Sequence, residues 1–165
     1  MRILGIDPGV AILGWSVLDR SGGETSLRSY GCIRTDAGQT LTSRLTQIFD
    51  DLQTLIQRHE PEEVAIEALL FAKNARALAQ VGHARGVILL AAGRAKMPVF
   101  EYAPSQVKLA LTGSGTADKR QMQSMVQRIL SLDTVPEPDD AADAVAIALC
   151  HSQFAQALGG MKVTV

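Results

Sequence analysis

Cysteine is scarce in this chain. The two present among 165 residues, Cys32 and Cys150, are far apart and have neither metal-type spacing nor a partner motif. That excludes a cysteine-built metal site and suits a reducing, cytoplasmic compartment. Long apolar runs are also missing: the most hydrophobic stretches are broken by Gly, Arg or His, so no membrane-spanning helix is expected. Met1-Arg2 leads straight into a strand-like run, so no secretory signal is expected either. There is no internal repeat, linker or low-complexity tract. The net charge of −1 gives no hint of a polyanionic partner by itself. What is there is 47% apolar and 20% charged. That composition predicts one globular domain over residues 1–158, with a flexible C-terminal tail at 159–165.

The distribution of charge says more than its sum. Residues 71–128 carry nine lysines and arginines against two carboxylates, Glu101 and Asp118. The remainder is therefore strongly acidic. A basic face for a polyanion with an acidic metal site elsewhere would give this asymmetry. So would an uneven scatter of solvated charge.

Hydrophobic periodicity predicts strands at 2–7, 11–19 and 25–34, the last two joined through Ser21-Gly22-Gly23. A helix follows, with Leu41, Leu45, Ile48, Phe49, Leu52, Leu55 and Ile56 at helical spacing, ended by Pro61. A short buried strand is expected at 63–67, a long helix at about 74–96, a fifth strand at 99–102, and helices at about 105–111, 118–131 and 139–158. This order implies an α/β fold with a mixed five-stranded sheet flanked by helices on both faces.

Four carboxylates stand in apolar surroundings. Asp7 ends Ile3-Leu4-Gly5-Ile6, Glu67 ends Val64-Ala65-Ile66, and Asp140 and Asp143 lie in an alanine-rich segment. Desolvating such groups is costly unless a partner compensates. Asp140 and Asp143 share a helix face and repel each other, and a divalent cation would remove the repulsion. Asp139 points about 100° away and reads as solvated or capping. Adjacent first and fourth strands would bring Asp7 next to Glu67. Four hard oxygen ligands suit Mg²⁺ or Mn²⁺ rather than Zn²⁺. Two such ions about 4 Å apart could activate a water and stabilise a leaving oxygen in phosphodiester hydrolysis.

The basic segment contributes further candidates. Lys108 and Lys119 flank Thr112-Gly113-Ser114-Gly115-Thr116, a small polar loop suited to phosphate. Lys73 and Arg76 follow Phe71, a setting suited to a nucleic-acid strand. In the long helix, Ala75, Ala79, Gly82, Gly86 and Gly93 form one narrow stripe. Each glycine costs about 1 kcal/mol relative to Ala in a helix interior, so a close partner is expected: the sheet of the same subunit, or the same helix of a second one. Trp15 is assigned to the core, His83 to the helix surface and His151 to a local structural role.

Taken in order, Leu4-Gly5-Ile6-Asp7-Pro8-Gly9, Ala65-Ile66-Glu67, Ala72-Lys73-Asn74, Ala84-Arg85-Gly86, Pro98-Val99-Phe100-Glu101-Tyr102, Gln106-Val107-Lys108 and Asp140-Ala141-Ala142-Asp143-Ala144 strongly resemble RuvC, the family of bacterial Holliday-junction resolvases. The resemblance runs over about residues 2–155. It implies a ribonuclease-H-like fold, a homodimer, and Mg²⁺-dependent paired nicking of four-way junction DNA in recombination and repair, with two ions per subunit and Mn²⁺ as a substitute. It places Asp7, Glu67, Asp140 and Asp143 on the metal ligands, and Lys108 and Lys119 on two functional lysines. Lys119 is also expected to act in catalysis. A RuvA–RuvB branch-migration complex is implied as a partner. The family's stacking aromatic after the strand-4 glutamate falls on Leu70 here. Either Phe71 takes over its role, or Leu70 acts as an apolar wedge. Two other readings are kept. Asp7-Pro8-Gly9 with Gly14 also resembles the first phosphate loop of actin-like ATPases and sugar kinases, and a non-catalytic junction-binding module is a third possibility.

Overall fold

The computed structural model describes residues 1–69 and 75–157, less the side chains of residues 76, 77 and 155–157. Five strands form a single sheet: β1 (Arg2–Asp7), β2 (Ile12–Ser21), β3 (Glu24–Arg34), β4 (Glu63–Glu67) and β5 (Val99–Tyr102). Five helices complete the described residues: α1 (Leu41–His59), α2 (Ala75–Arg94), α3 (Pro104–Thr112), α4 (Lys119–Ile129) and α5 (Asp139–Ala157). The sheet order is β3-β2-β1-β4-β5. β1 to β3 form an antiparallel meander, while β4 and β5 join parallel to β1 through helical crossovers. The expected α/β architecture with a mixed five-stranded sheet is therefore the one observed. Among the described residues, no helix is long and apolar enough to cross a membrane.

Alternation along the strands decides which helices cover which face. Leu4, Ile6, Val64 and Ile66 pack with Ile48 and Leu52 of α1 and Ile88, Ala91 and Ala92 of α2. Ile3, Ala65, Phe100 and Tyr102 point the other way, onto α3, α4 and α5. The same parity sends Asp7, Glu63 and Glu67 toward α5.

α5 lies unusually close to the sheet. It is lined by Ala141, Ala142, Ala144, Ala146 and Ala148, all buried. A Cβ built on Gly14 would meet the Asp140 carbonyl oxygen at 1.9 Å, and one on Gly5 would meet that of Ala144 at 2.4 Å. Neither distance is tolerable, so glycine at both strand positions is what admits the helix. Ser16 Oγ donates to the Ala144 carbonyl at 2.9 Å, a tie from β2.

On the other face, α2 presents Ala84, Ile88, Ala91 and Ala92 to the core. The small-residue stripe faces away. A Cβ on Gly82, Gly86 or Gly93 would meet nothing within 4 Å, which overturns packing of these glycines against the subunit's own sheet. Leu90, close to the stripe on the helix wheel, is 57% exposed. Trp15, assigned to the core, is only partly buried and packs at its margin.

Candidate active site

Asp7 and Glu67 are the last residues of β1 and β4, two adjacent parallel strands in which Ile6 is level with Ile66. The two carboxylates therefore stand side by side at the carboxyl edge of the sheet. The first turn of α5 lies over that edge, because the Gly14 that receives the Asp140 carbonyl is paired with Asp7. α5 begins after Pro138, whose carbonyl accepts from the Ala141 and Ala142 amides. Asp140 and Asp143 then occupy its first turns. A cleft of about 240 Å³ brings Glu67 and Asp143 together with Lys108, Lys119, Pro104 and Met122.

Lys119 opens α4, whose start is fixed by a reciprocal cap. Asp118 accepts from the Gln121 amide at 2.9 Å, and Gln121 accepts from the Asp118 amide at 2.9 Å. This aims the Lys119 ammonium at α5, 2.9 Å from Asp139 and 3.9 Å from Asp143. Asp139 is exposed, as expected, and in addition pairs with Lys119 and accepts weakly from Gln123 at 3.3 Å. Sequence reasoning missed the pairing because the partner lies on another helix.

The electrostatics follow from this crowding. Burial, then the charges of Glu67, Asp143 and Asp140, push the Asp7 carboxyl from its ordinary 3.8 up to about 7, against the pull of Lys119. Burial and Asp143 raise Glu67. Asp143 is raised by burial first, with Lys119 opposing and Asp139 and Asp140 adding. The Asp139 contact, above all, holds the Lys119 ammonium more firmly charged than an ordinary lysine. Among the described residues, no three His, Cys, Asp or Glu side chains converge closely enough to hold an ion. The donor set is nevertheless all carboxylate oxygen, which fits a hard divalent cation, and positive charge brought to it would favour the ionised form of Asp7.

A pH dependence results. A carboxyl raised on folding stabilises the fold fully in acid, and that contribution is lost as pH rises through the folded value. For Asp7 the loss begins at its ordinary 3.8 and is complete just above 7. The buried His151, whose value is lowered, works the opposite way, destabilising as pH falls through its ordinary 6.5. Between pH 6.5 and 8, metal-free protein should therefore lose up to about 0.5 kcal/mol, or about 1–2 °C in Tm, with Mg²⁺ restoring it at pH 8. A Tm in EDTA that rises over that interval would contradict the assignment.

With the role that the resemblance implies for Lys119, Lys119→Ala should cut phosphodiester cleavage on the order of 10²-fold, as loss of one aimed cation does. Its effect on stability should stay below about 1 kcal/mol, since the pair is exposed. Single-turnover cleavage and thermal melts check both; unchanged cleavage would make Lys119 ordinary surface.

Leu70, Phe71 and Lys73 lie outside the described residues, as do the Arg76 side chain and the tail at 159–165. Just ahead of them Leu69, two residues past Glu67, is 42% exposed, an apolar group that the sequence did not single out. His83 is exposed on α2, as expected. His151 is fully buried and hydrogen-bonded, in keeping with a structural role.

A family model described as crossover junction endodeoxyribonuclease RuvC matches residues 3–151. A crossover junction endodeoxyribonuclease RuvC from Chloroflexus aggregans is 51% identical over 158 residues, 96% of each chain. The Brevibacillus brevis protein of the same name is 51% identical over 154 residues, 93% of each. Among solved structures, T. thermophilus RuvC in complex with a Holliday junction substrate superposes with a TM-score of 0.91 at 37% identity, covering 94% of this chain and 95% of that one.

Proposed function

Because the chain belongs to the crossover junction endodeoxyribonuclease RuvC family, we propose that it resolves Holliday junctions, hydrolysing one phosphodiester in each of two symmetry-related strands of four-way DNA. The observation that carries this reading is the set of carboxylates at the carboxyl edge of β1 and β4, faced across a cleft by Lys108 and Lys119. Asp7, Glu67, Asp140 and Asp143 are the groups that would hold divalent metal, Mg²⁺ with Mn²⁺ as a substitute. Metal so held supplies an acidified water and positive charge on a phosphodiester oxygen. Lys108 and Lys119 line the same cleft and fit the backbone phosphates that flank the cut. Leu70, Phe71 and Lys73, just before α2 in sequence, and Arg76 in its first turn are assigned to the junction DNA.

Incubating the protein with a synthetic four-way junction and with linear duplex, in Mg²⁺, Mn²⁺ or EDTA, tests the proposal. Symmetric nicks in the junction alone, absent in EDTA, are expected. Equal cutting of both substrates, or ATP hydrolysis without nicking, would refute it.

Paired cuts need two sites, and a two-fold homodimer would supply them. The exposed face of α2 supports one: Gly82, Gly86 and Gly93 leave backbone open to close approach, beside the exposed Leu90. Gly86→Arg is expected to give monomers by analytical ultracentrifugation, and single rather than paired nicks. A dimer that persists would place the interface elsewhere.

A further inference from the structure

α5 carries two of the site's carboxylates on a helix whose sheet-facing side is mostly alanine. The Gly5 and Gly14 seats and the Ser16 hydroxyl hold its first half against β1 and β2, but none of them reaches β4 or β5. Beyond the site, a buried polar chain crosses from the sheet to this helix. The Tyr102 hydroxyl lies 2.6 Å from His151 Nδ1, and His151 Nε2 lies 2.7 Å from Glu63 Oε2. The His151 side chain is fully buried, while that of Glu63 is 24% exposed. The roles of donor and acceptor follow from chemistry. A carboxylate only accepts, so Nε2 carries the proton and donates to Glu63. Nδ1 is then an acceptor and receives a hydrogen bond from the Tyr102 hydroxyl. One neutral imidazole tautomer satisfies all three groups, and burial keeps the ring below its ordinary pKa. Phe100 packs on the ring with centroids 4.4 Å apart, which restricts its rotation.

The placement of these three residues relates them to the site. His151 lies eight residues beyond Asp143, about 12 Å along the helix. Glu63 lies four residues before Glu67, about 13 Å along the strand. The tie therefore sits at matching depth beneath the two carboxylates. Tyr102 is paired with Glu67 itself across β4 and β5. We infer that Glu63, His151 and Tyr102 are positioning residues of the nuclease site: their hydrogen-bonded chain sets the register of α5 against β4 and β5, and with it the spacing between Glu67 and the pair Asp140 and Asp143. This rests on those carboxylates acting together on metal.

The experiment uses the full chain with Tyr102→Phe, Glu63→Ala and Glu63→Gln. Three quantities are read: Mg²⁺ affinity without DNA by calorimetry, junction affinity in EDTA, and single-turnover cleavage. Tyr102→Phe removes one hydrogen bond without changing shape, and Glu63→Ala removes the acceptor. Each should weaken Mg²⁺ binding roughly tenfold, the low end for partners that orient ligands, with junction affinity in EDTA unchanged. Glu63→Gln keeps an acceptor for Nε2–H and should recover most of the lost affinity. A lowered Tm with unaltered Mg²⁺ affinity in both disrupting variants would make the chain merely structural and overturn the inference. A parent chain that neither binds Mg²⁺ nor cuts junctions would instead remove the reading beneath it.

Discussion

Asn in place of Asp7 is expected to abolish junction cleavage while leaving junction binding intact or tighter. Asp7 is the most strongly perturbed of the four carboxylates, held at about 7 by burial and by Glu67, Asp143 and Asp140. The amide has nearly the same shape but carries no charge to hold a cation. Metal-assisted stabilisation of a phosphodiester transition state is worth several kcal/mol, so the loss should be on the order of 10³-fold or more. Binding responds the other way, because one negative charge near a phosphate has gone. Single-turnover cleavage and gel shifts of the same junction in EDTA measure the two effects separately. Full cleavage by the variant would remove Asp7 from the chemistry.

The second large effect is predicted at a residue with no functional group. In Gly14→Ala the added carbon would meet the Asp140 carbonyl oxygen at 1.9 Å and its carbon at 2.4 Å. Both are backbone atoms, so the first turn of α5 must move by about an ångström or the strand must bend. Overpacking of this kind costs about 1–3 kcal/mol. The turn that moves carries Asp140 and Asp143, and a displacement of about 1 Å at a reacting centre costs about 100-fold in rate. Cleavage should therefore fall far more than the folded fraction at 25 °C, as thermal melts beside cleavage assays would show. Normal activity would mean that the start of α5 does not depend on Gly14.

The sheet and its helices were legible because strand alternation and helical spacing are local signals. Leu4 and Ile6 against Ile3 and Asp7 already divide β1 into two faces. The adjacency of Asp7 and Glu67 was legible too, once β1 and β4 were taken as neighbours. Gly14 was seen but read for the wrong reason. Its spacing from Asp7 matched a phosphate loop, whereas its use is to admit the backbone of a helix more than a hundred residues later in the chain. The Lys119–Asp139 pair and the Glu63–His151–Tyr102 chain were out of reach for a related reason. Each joins elements whose packing angle and depth no single segment encodes. The glycine stripe of α2 left two partners open, and only the empty space around it excluded its own sheet.

The elements that meet at the carboxyl edge are also separated in time. β1 and β4 leave the ribosome before α5, which follows Glu67 by some seventy residues. At about 5–20 residues per second, that interval lasts seconds. Throughout it the nascent chain has Asp7 and Glu67 but not the helix that completes the acidic cluster. A site assembled from segments so far apart in the chain is complete only once α5 docks.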